Sequence, residues 1–229
     1  IFPDHKTTPQ QRAHIGYCLK LMVEAMLLHA RLGDVSRFLD ALLRYYQDPE
    51  HTDADTAFTL LDTARHLPPK YYGEDTREML VDFAARFTAL EDPRLATAAL
   101  QFLRETVRNI PRDHPQMARI AQIAEDAPSR QLTTVFLKCR ILRRAGRDVS
   151  ALEEALYHTD ITSEVFLDNL KTATHWIVKV AGVELLRDQV EHGMNTHILH
   201  IATHFSNLVK VSERVVVRHT AGAALVHTL

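Results

Sequence analysis

Gly33-Asp34-Val35-Ser36-Arg37-Phe38-Leu39-Asp40-Ala41-Leu42 and Gly146-Arg147-Asp148-Val149-Ser150-Ala151-Leu152-Glu153-Glu154-Ala155-Leu156 carry one pattern twice. In each, a glycine precedes an aspartate. Val-Ser follows, then a large apolar residue, an acid and Ala-Leu. The aspartates stand 114 positions apart, three times 38. An aspartate before an apolar-periodic run is a helix N-cap, and a glycine just before it closes the preceding helix. The small alanine is expected to let two helices approach closely. Coincidence in an Ala- and Leu-rich chain is the competing explanation. The match is in phase with the helix spacing, which favours repetition.

Helix signals recur outward from these two stretches. Thr8-Pro9 opens a helix that Gly33 ends, and Asp34 opens a second that stops at Asp48-Pro49. Asp53 opens a third, stopped by Pro68-Pro69, and Asp75 a fourth, ending near Glu91. Asp92-Pro93 starts a fifth that runs to Pro111, and Pro115 a short sixth that ends near Pro128. Ser129 to Ala145 is a seventh, and Asp148 caps an eighth. Thr162 or Ser163 opens a ninth, expected to bend at Gly182 and end by Gly193. Asn195 or Thr196 caps a tenth and Ser212 an eleventh. Arg214-Val215-Val216-Val217-Arg218 is the one strand-like stretch. The fold class is all-α. About six antiparallel hairpins, beginning near residues 9, 53, 92, 128, 163 and 195, form a right-handed α-solenoid over a single domain, 1–229. Ile1 at the start and a helical pattern running to Leu229 are read as marks of a segment of a longer chain.

Pro93-Arg94-Leu95-Ala96-Thr97-Ala98-Ala99-Leu100 and Val217-Arg218-His219-Thr220-Ala221-Gly222-Ala223-Ala224-Leu225 resemble the second helix of HEAT or armadillo repeats. There an Arg near the helix start is followed by small residues and a Leu. The segments at Gly33 and Gly146 resemble tetratricopeptide or pentatricopeptide hairpins. Either resemblance implies a curved superhelix whose concave face holds a partner, usually protein and sometimes RNA.

Composition narrows the functional classes. Of 229 residues 46% are hydrophobic, enough to build a sizeable core, and only 7 are glycine. Average usage would give roughly 16, so glycine-rich ligand loops have little room. The net charge of -2 points to neither nucleic acid nor acidic membrane as an obligatory partner. The two cysteines, Cys18 and Cys139, lie far apart within helical patterns. That fits buried free thiols in a reducing compartment, the cytoplasm or an organelle matrix such as the mitochondrial one. No apolar run approaches the roughly 18 residues of a membrane span.

Two constellations carry the candidate chemistry. Lys138, Arg140, Arg143, Arg144 and Arg147 crowd ten residues of the seventh helix, and the four arginines cover about a third of its circumference. Arg104, Arg108 and Arg112 form a sparser ladder on the fifth. Arginine forks suit phosphate or carboxylate. If hairpins stack in register, the ladders would merge into a basic groove able to hold RNA. The alternative is a solvated face paired with acids such as Glu153 and Glu154. His197, His200 and His204 sit at i, i+3 and i+7 on the tenth helix. They spread over about 10 Å, too far for one metal to take all three. A partly exposed polar stripe is the plainer reading, and no metal or other cofactor is expected. Tyr71 or Tyr72 could stack on a base, and Trp176 reads as core. Phosphate-loop, dinucleotide and nucleophile-elbow patterns are absent.

The expectation is therefore a non-enzymatic scaffold that binds proteins within a larger assembly, with neither a membrane nor a small-molecule substrate as partner. The alternative is an RNA-binding solenoid in RNA processing or a ribonucleoprotein, perched on the two basic ladders and organellar in one version.

Overall fold

The computed structural model describes residues 18, 21, 22, 25, 26, 28, 29, 31–45, 53–67, 72–157, 170, 175–192, 198–212 and 214–228. Among them there are helices and no strands. The named helices are α1 Leu32–Tyr45, α2 Ala54–His66, α3 Glu74–Thr88, α4 Pro93–Asn109, α5 Pro115–Asp126, α6 Leu132–Arg144, α7 Ser150–Tyr157, α8 Trp176–Glu191, α9 Ile198–Val211 and α10 Val215–Thr228. The chain forms two compact units, Ile1–Ala127 and Pro128–Leu229. The boundary falls where the sequence starts its fourth hairpin.

Three expected starts carry side-chain caps, whereas α3 follows Gly73 with Asp75 already inside its first turn and α6 follows Gln131 instead of Ser129. Asp53 accepts from the Thr56 amide at 2.9 Å and begins α2. Asp92 accepts from the Arg94 amide at 2.9 Å, with Pro93 at the first helical position of α4. His114 takes the capping role for α5 through Nδ1, which accepts from the Gln116 amide at 3.2 Å.

In the first unit alternate helices stack. α1 packs on α3, α3 on α5, and α2 on α4. α2 also packs on α3, α3 on α4, and α4 on α5, through short connections. The odd helices thus make one layer and the even helices the other. Leu60, Leu61, Leu80, Leu100, Phe102, Leu103 and Ile120 fill the space between them.

Polar pins tie helices within each layer, their partners 36 to 41 residues apart. Thr76 Oγ1 donates to Asp40 (3.4 Å) and Arg65 Nη1 to Gln101 Oε1 (2.8 Å), each 36 residues apart. Arg94 Nη1 donates to Asp55 Oδ1 (2.6 Å), 39 residues away. Arg119 reaches Asp82, 37 residues away, and Glu78, 41 residues away. Every one joins helices two apart in the chain. These separations fall on either side of the 38 read from the twin stretches.

The twin stretches themselves fold differently. Gly146 has φ +75 and closes α6. Its amide donates to Arg143 O (3.1 Å) and the Arg147 amide to Leu142 O (2.9 Å), a Schellman closure that needs a left-handed residue. Asp148 Oδ1 then accepts from the Ser150 amide at 3.0 Å. Gly33 instead lies inside the first turn of α1, which begins at Leu32. It closes nothing, and Asp34 is one turn further in than a cap. There it pairs with Arg31 and Arg37, and the Arg37 hydrogen bond holds its carboxyl below the ordinary value. The repeated alanines, Ala41 and Ala155, are exposed, so they do not bring helices together. The repeated leucines do the packing: Leu42 and Leu156 are both buried.

In the second unit α6 packs on α7 and on α8, and α8 packs on α9 and α10, which form a hairpin. Leu170, Val183, Leu186, Ile201, Phe205, Val217, Ala221 and Ala224 make its core, and Trp176 lies half-buried against it. The expected helix from residue 163 to Gly193 is not one element. α8 starts only at Trp176, where His175 Nδ1 accepts from the Ile177 amide at 3.3 Å. It continues through Gly182, whose missing Cβ leaves room for the methyls of Leu170. Ser212 ends α9 rather than capping α10, its amide donating to Leu208 O at 3.1 Å. The strand-like valines open α10 as helix, with Val217 fully buried. Core packing overrides their local β preference. The expected caps at Thr162, Ser163, Asn195 and Thr196 lie outside the described residues.

Candidate functional site

The first basic ladder sits at the end of α4. Arg104 Nη2 and Arg108 Nη1 both donate to Glu105 Oε1, at 3.1 and 3.2 Å. Arg104 is half-buried and Arg108 exposed. Arg112 lies beyond the helix, in the exposed turn before α5. One carboxylate therefore already occupies the middle of this ladder.

The second ladder belongs to the other unit. α6 is buried along most of its length, with Val135, Phe136, Leu137, Cys139, Ile141 and Leu142 all in the core. The basic residues emerge at its edges. Lys138 and Arg144 are half-buried, and Arg147 is exposed in the Schellman turn. Arg143 pairs with Glu153 of α7, as the solvated-face reading of the sequence expects; that hydrogen bond raises the guanidinium's pKa further. Glu154 is exposed. Arg140 turns the other way and pairs with Asp188 of α8, its guanidinium lying 5.3 Å from the centre of the Phe136 ring.

Asp188 is the centre of a polar junction that joins α6, α7 and α8. It is 1% exposed. One carboxylate oxygen receives Arg140, and the other receives the Tyr157 hydroxyl at 2.5 Å. The His192 ring stacks on Tyr157 with centroids 4.6 Å apart. His192 Nδ1 lies 2.7 Å from the Asp188 carbonyl and so closes the end of α8. Beside it Gln189 Nε2 donates to Leu156 O at 2.7 Å. Burial pushes up both the Tyr157 hydroxyl and the Cys139 thiol, the neighbouring arginines opposing it in each case. Both carboxylate oxygens are engaged and the group is shut off from solvent. Its chemistry is that of a pin, charge-assisted and directional. The sequence did signal it weakly: Asp188 interrupts the apolar run of α8, where an acid needs a partner. Nothing in the sequence singled out Tyr157, Gln189 or His192 as those neighbours.

Of the three spaced histidines, His197 lies outside the described residues. His200 is exposed, whereas His204 is buried beside Phe205. His200 and His204 do not share a polar stripe, because the core covers one and leaves the other in water. Among the described residues no group of three or more His, Cys, Asp or Glu could hold a metal. Tyr72 is buried, and burial raises its hydroxyl; Tyr71 lies outside the described residues. An open groove of about 310 Å³ between α1 and α3 is lined by Leu43, Met79, Asp82, Phe83 and Arg86. Arg119 already holds its acid, Asp82.

No described helix is long and apolar enough to cross a membrane. No family model, no curated protein and no solved structure matches the chain.

Proposed function

We propose that this chain is a non-enzymatic helical-repeat scaffold that binds other proteins within a larger assembly. The observation that carries the reading is the set of polar pins in the first unit, which join every second helix at steps of 36 to 41 residues. Repeated stacking of this kind builds long, rigid faces, and such faces serve extended partners. A right-handed α-solenoid of about six hairpins, akin to HEAT, armadillo or tetratricopeptide arrays, is the proposed architecture. A reducing compartment, cytoplasmic or mitochondrial, is the proposed setting. Internal use of the arginines supports a protein partner over RNA: Glu105, Glu153 and Asp188 take up the forks of Arg104, Arg108, Arg143 and Arg140.

The second reading, an RNA-binding solenoid, draws on the exposed Arg108, Arg112 and Arg147. Affinity purification of the full chain from the cells that make it, with and without nuclease, tests both. Protein partners retained after nuclease support the scaffold. Recovery of the chain alone overturns it. Partners that leave with the nucleic acid, together with RNA binding weakened by Arg112→Glu and Arg147→Glu, would replace it with the RNA reading.

A further inference from the structure

α10 reads Val-Val-Val-Arg-His-Thr-Ala-Gly-Ala-Ala-Leu-Val-His-Thr. Its inner face, Val217, Ala221 and Ala224, packs into the core of the second unit. A helix at a surface normally turns a charged side to water. The outer side of α10 does not. Val215 is 69% and Val226 77% exposed, and Val216, His219 and Ala223 are exposed with them. Val215, His219, Gly222 and Val226 follow one another at steps of four, three and four residues. At 100° per residue they span about 60° of the helix. This is the seam spacing along which two helices pack knobs into holes.

Among the described residues of α9, α10 and the turn between them, the charged side chains are all basic. Lys210 and Arg214 are exposed and Arg218 is half-buried, its Nη1 donating to Ser212 O at 2.7 Å. From Ile198 to Leu229 the sequence holds a single acid, Glu213. An apolar seam with a basic border complements an apolar seam with an acidic border.

We propose that the outer face of α10 receives an amphipathic helix of another protein, aliphatic along its seam and rich in Asp and Glu along its edges. The proposal rests on the scaffold reading above and names the chemistry of a partner for it. A second copy of the same face would bring like charges together. Single-stranded RNA gains affinity by stacking bases on aromatic rings, and α10 offers no Phe, Tyr or Trp, only the imidazoles of His219 and His227. A helix lying in an anionic bilayer carries bulky Trp, Phe or Leu against a strongly polar back; the exposed residues of α10 are valine, alanine and histidine, and its back is held in the core.

The experiment places a photo-crosslinking amino acid at Val215 or Val226 of the full chain in its own cells, with Gln122 on α5 as the exposed control site. Crosslinked peptides are identified by mass spectrometry. The expected result is adducts at both valine sites, at least ~10-fold above the control, on acid-rich amphipathic segments of another protein. Val226→Glu is expected to lower the Val215 adduct ~10-fold, and Val226→Lys less, with the circular dichroism melt unchanged because the side chain lies in water. Yields equal to the control overturn the proposal. So do adducts on this chain itself, on lipid, on RNA, or on segments without acids. If the purified chain retains protein partners while both valine sites stay silent, this inference falls and the scaffold reading stands. If the chain purifies alone, both fall.

Discussion

Replacing Asp188 with alanine is expected to destabilise the second unit by about 3–4 kcal/mol. The figure follows from its surroundings. Asp188 is 1% exposed, whereas the Arg140 side chain keeps 34% of its surface in water. Removing one partner of a buried ion pair costs roughly 3–5 kcal/mol, chiefly because the other charge is left buried and unpaired. Arg140 can turn part of its guanidinium to solvent, which moves the estimate toward the low end. The half-buried Tyr157 hydroxyl loses its acceptor as well, adding about 1 kcal/mol. Tyr157→Phe alone should cost only about 1–1.5 kcal/mol, since it removes one hydrogen bond to a carboxylate that keeps its arginine. A joint replacement, Arg140→Met with Asp188→Leu, should recover much of the loss, because no lone charge remains.

The assay is urea unfolding followed by tryptophan fluorescence. Trp176 is the chain's only tryptophan and lies against the core of the second unit, so the signal reports that unit. A loss of 3 kcal/mol moves the midpoint down by roughly 2 M for a unit of this size. If Asp188→Ala destabilises the protein too far to measure, the milder Tyr157→Phe and the joint replacement still decide. Effects of Arg140 and Asp188 substitutions that simply add, with no coupling energy, would refute the pin. So would a midpoint for Asp188→Ala within about 0.5 M of wild type.

Gly146→Ala should cost about 1–2 kcal/mol through its positive φ alone, since a Cβ there meets nothing within 4 Å. Gly33→Ala, in an ordinary helical turn with equal space, should be neutral or stabilise by up to about 1 kcal/mol; equal losses at both sites would contradict the two different roles. In native protein one thiol, the exposed Cys18, should react rapidly with a maleimide at pH 7, while the buried Cys139, its pKa raised by burial, waits for unfolding; two thiols titrating at one rate would count against that burial. The Ser150 hydroxyl, followed by the Ser150 amide, holds the Asp148 carboxyl below its ordinary value. A carboxyl depressed in the folded state stabilises it fully above the ordinary carboxylate pKa, and that contribution fades as pH falls through the folded value. Ser150→Ala should therefore flatten the acid side of the stability curve below pH ~4 and leave it unchanged in slope at neutrality. Asp92→Ala should remove about 1 kcal/mol from the first unit by stripping the cap of α4, visible as a lower melting temperature by circular dichroism.

The helices were legible because their signals are local. Asp53, Asp92-Pro93 and Pro115 each begin an element within a residue of where the sequence places it. Gly33 was misread because a Gly-Asp pair looks the same whether the glycine closes one helix or lies in the first turn of the next. Only the backbone angle separates the two, and a glycine accepts either. Gly182 has a role that helical periodicity does not reveal: its missing Cβ makes room for Leu170. The arginine stripe of α6 was legible as a spacing, but its meaning lay 48 residues away, in Asp188. Helical periodicity says which residues share a face. It does not say which other helix presents a carboxylate to that face.

The twin stretches show how far a repeat can drift while its architecture persists. Both copies keep a buried leucine at their end and an exposed alanine before it. The aspartate that opens them has moved by a turn relative to its helix, and the acid inside them has parted ways: Asp40 receives Thr76, whereas Glu154 lies exposed. What stays constant in the first unit is the distance along the chain between helices that touch, marked by pins of differing chemistry, Thr–Asp, Arg–Gln and Arg–Asp. Stacking requires only that each helix bury its apolar stripe against the helix two before it, and many residue pairs can lock that contact. The pins therefore carry a test that sequence similarity cannot supply. If the period is structural, Arg65→Met and Arg94→Met should each loosen the contact between α2 and α4, and hydrogen exchange should rise in both helices together. Faster exchange confined to the substituted helix would mean that the step of about 38 is a coincidence of loop lengths.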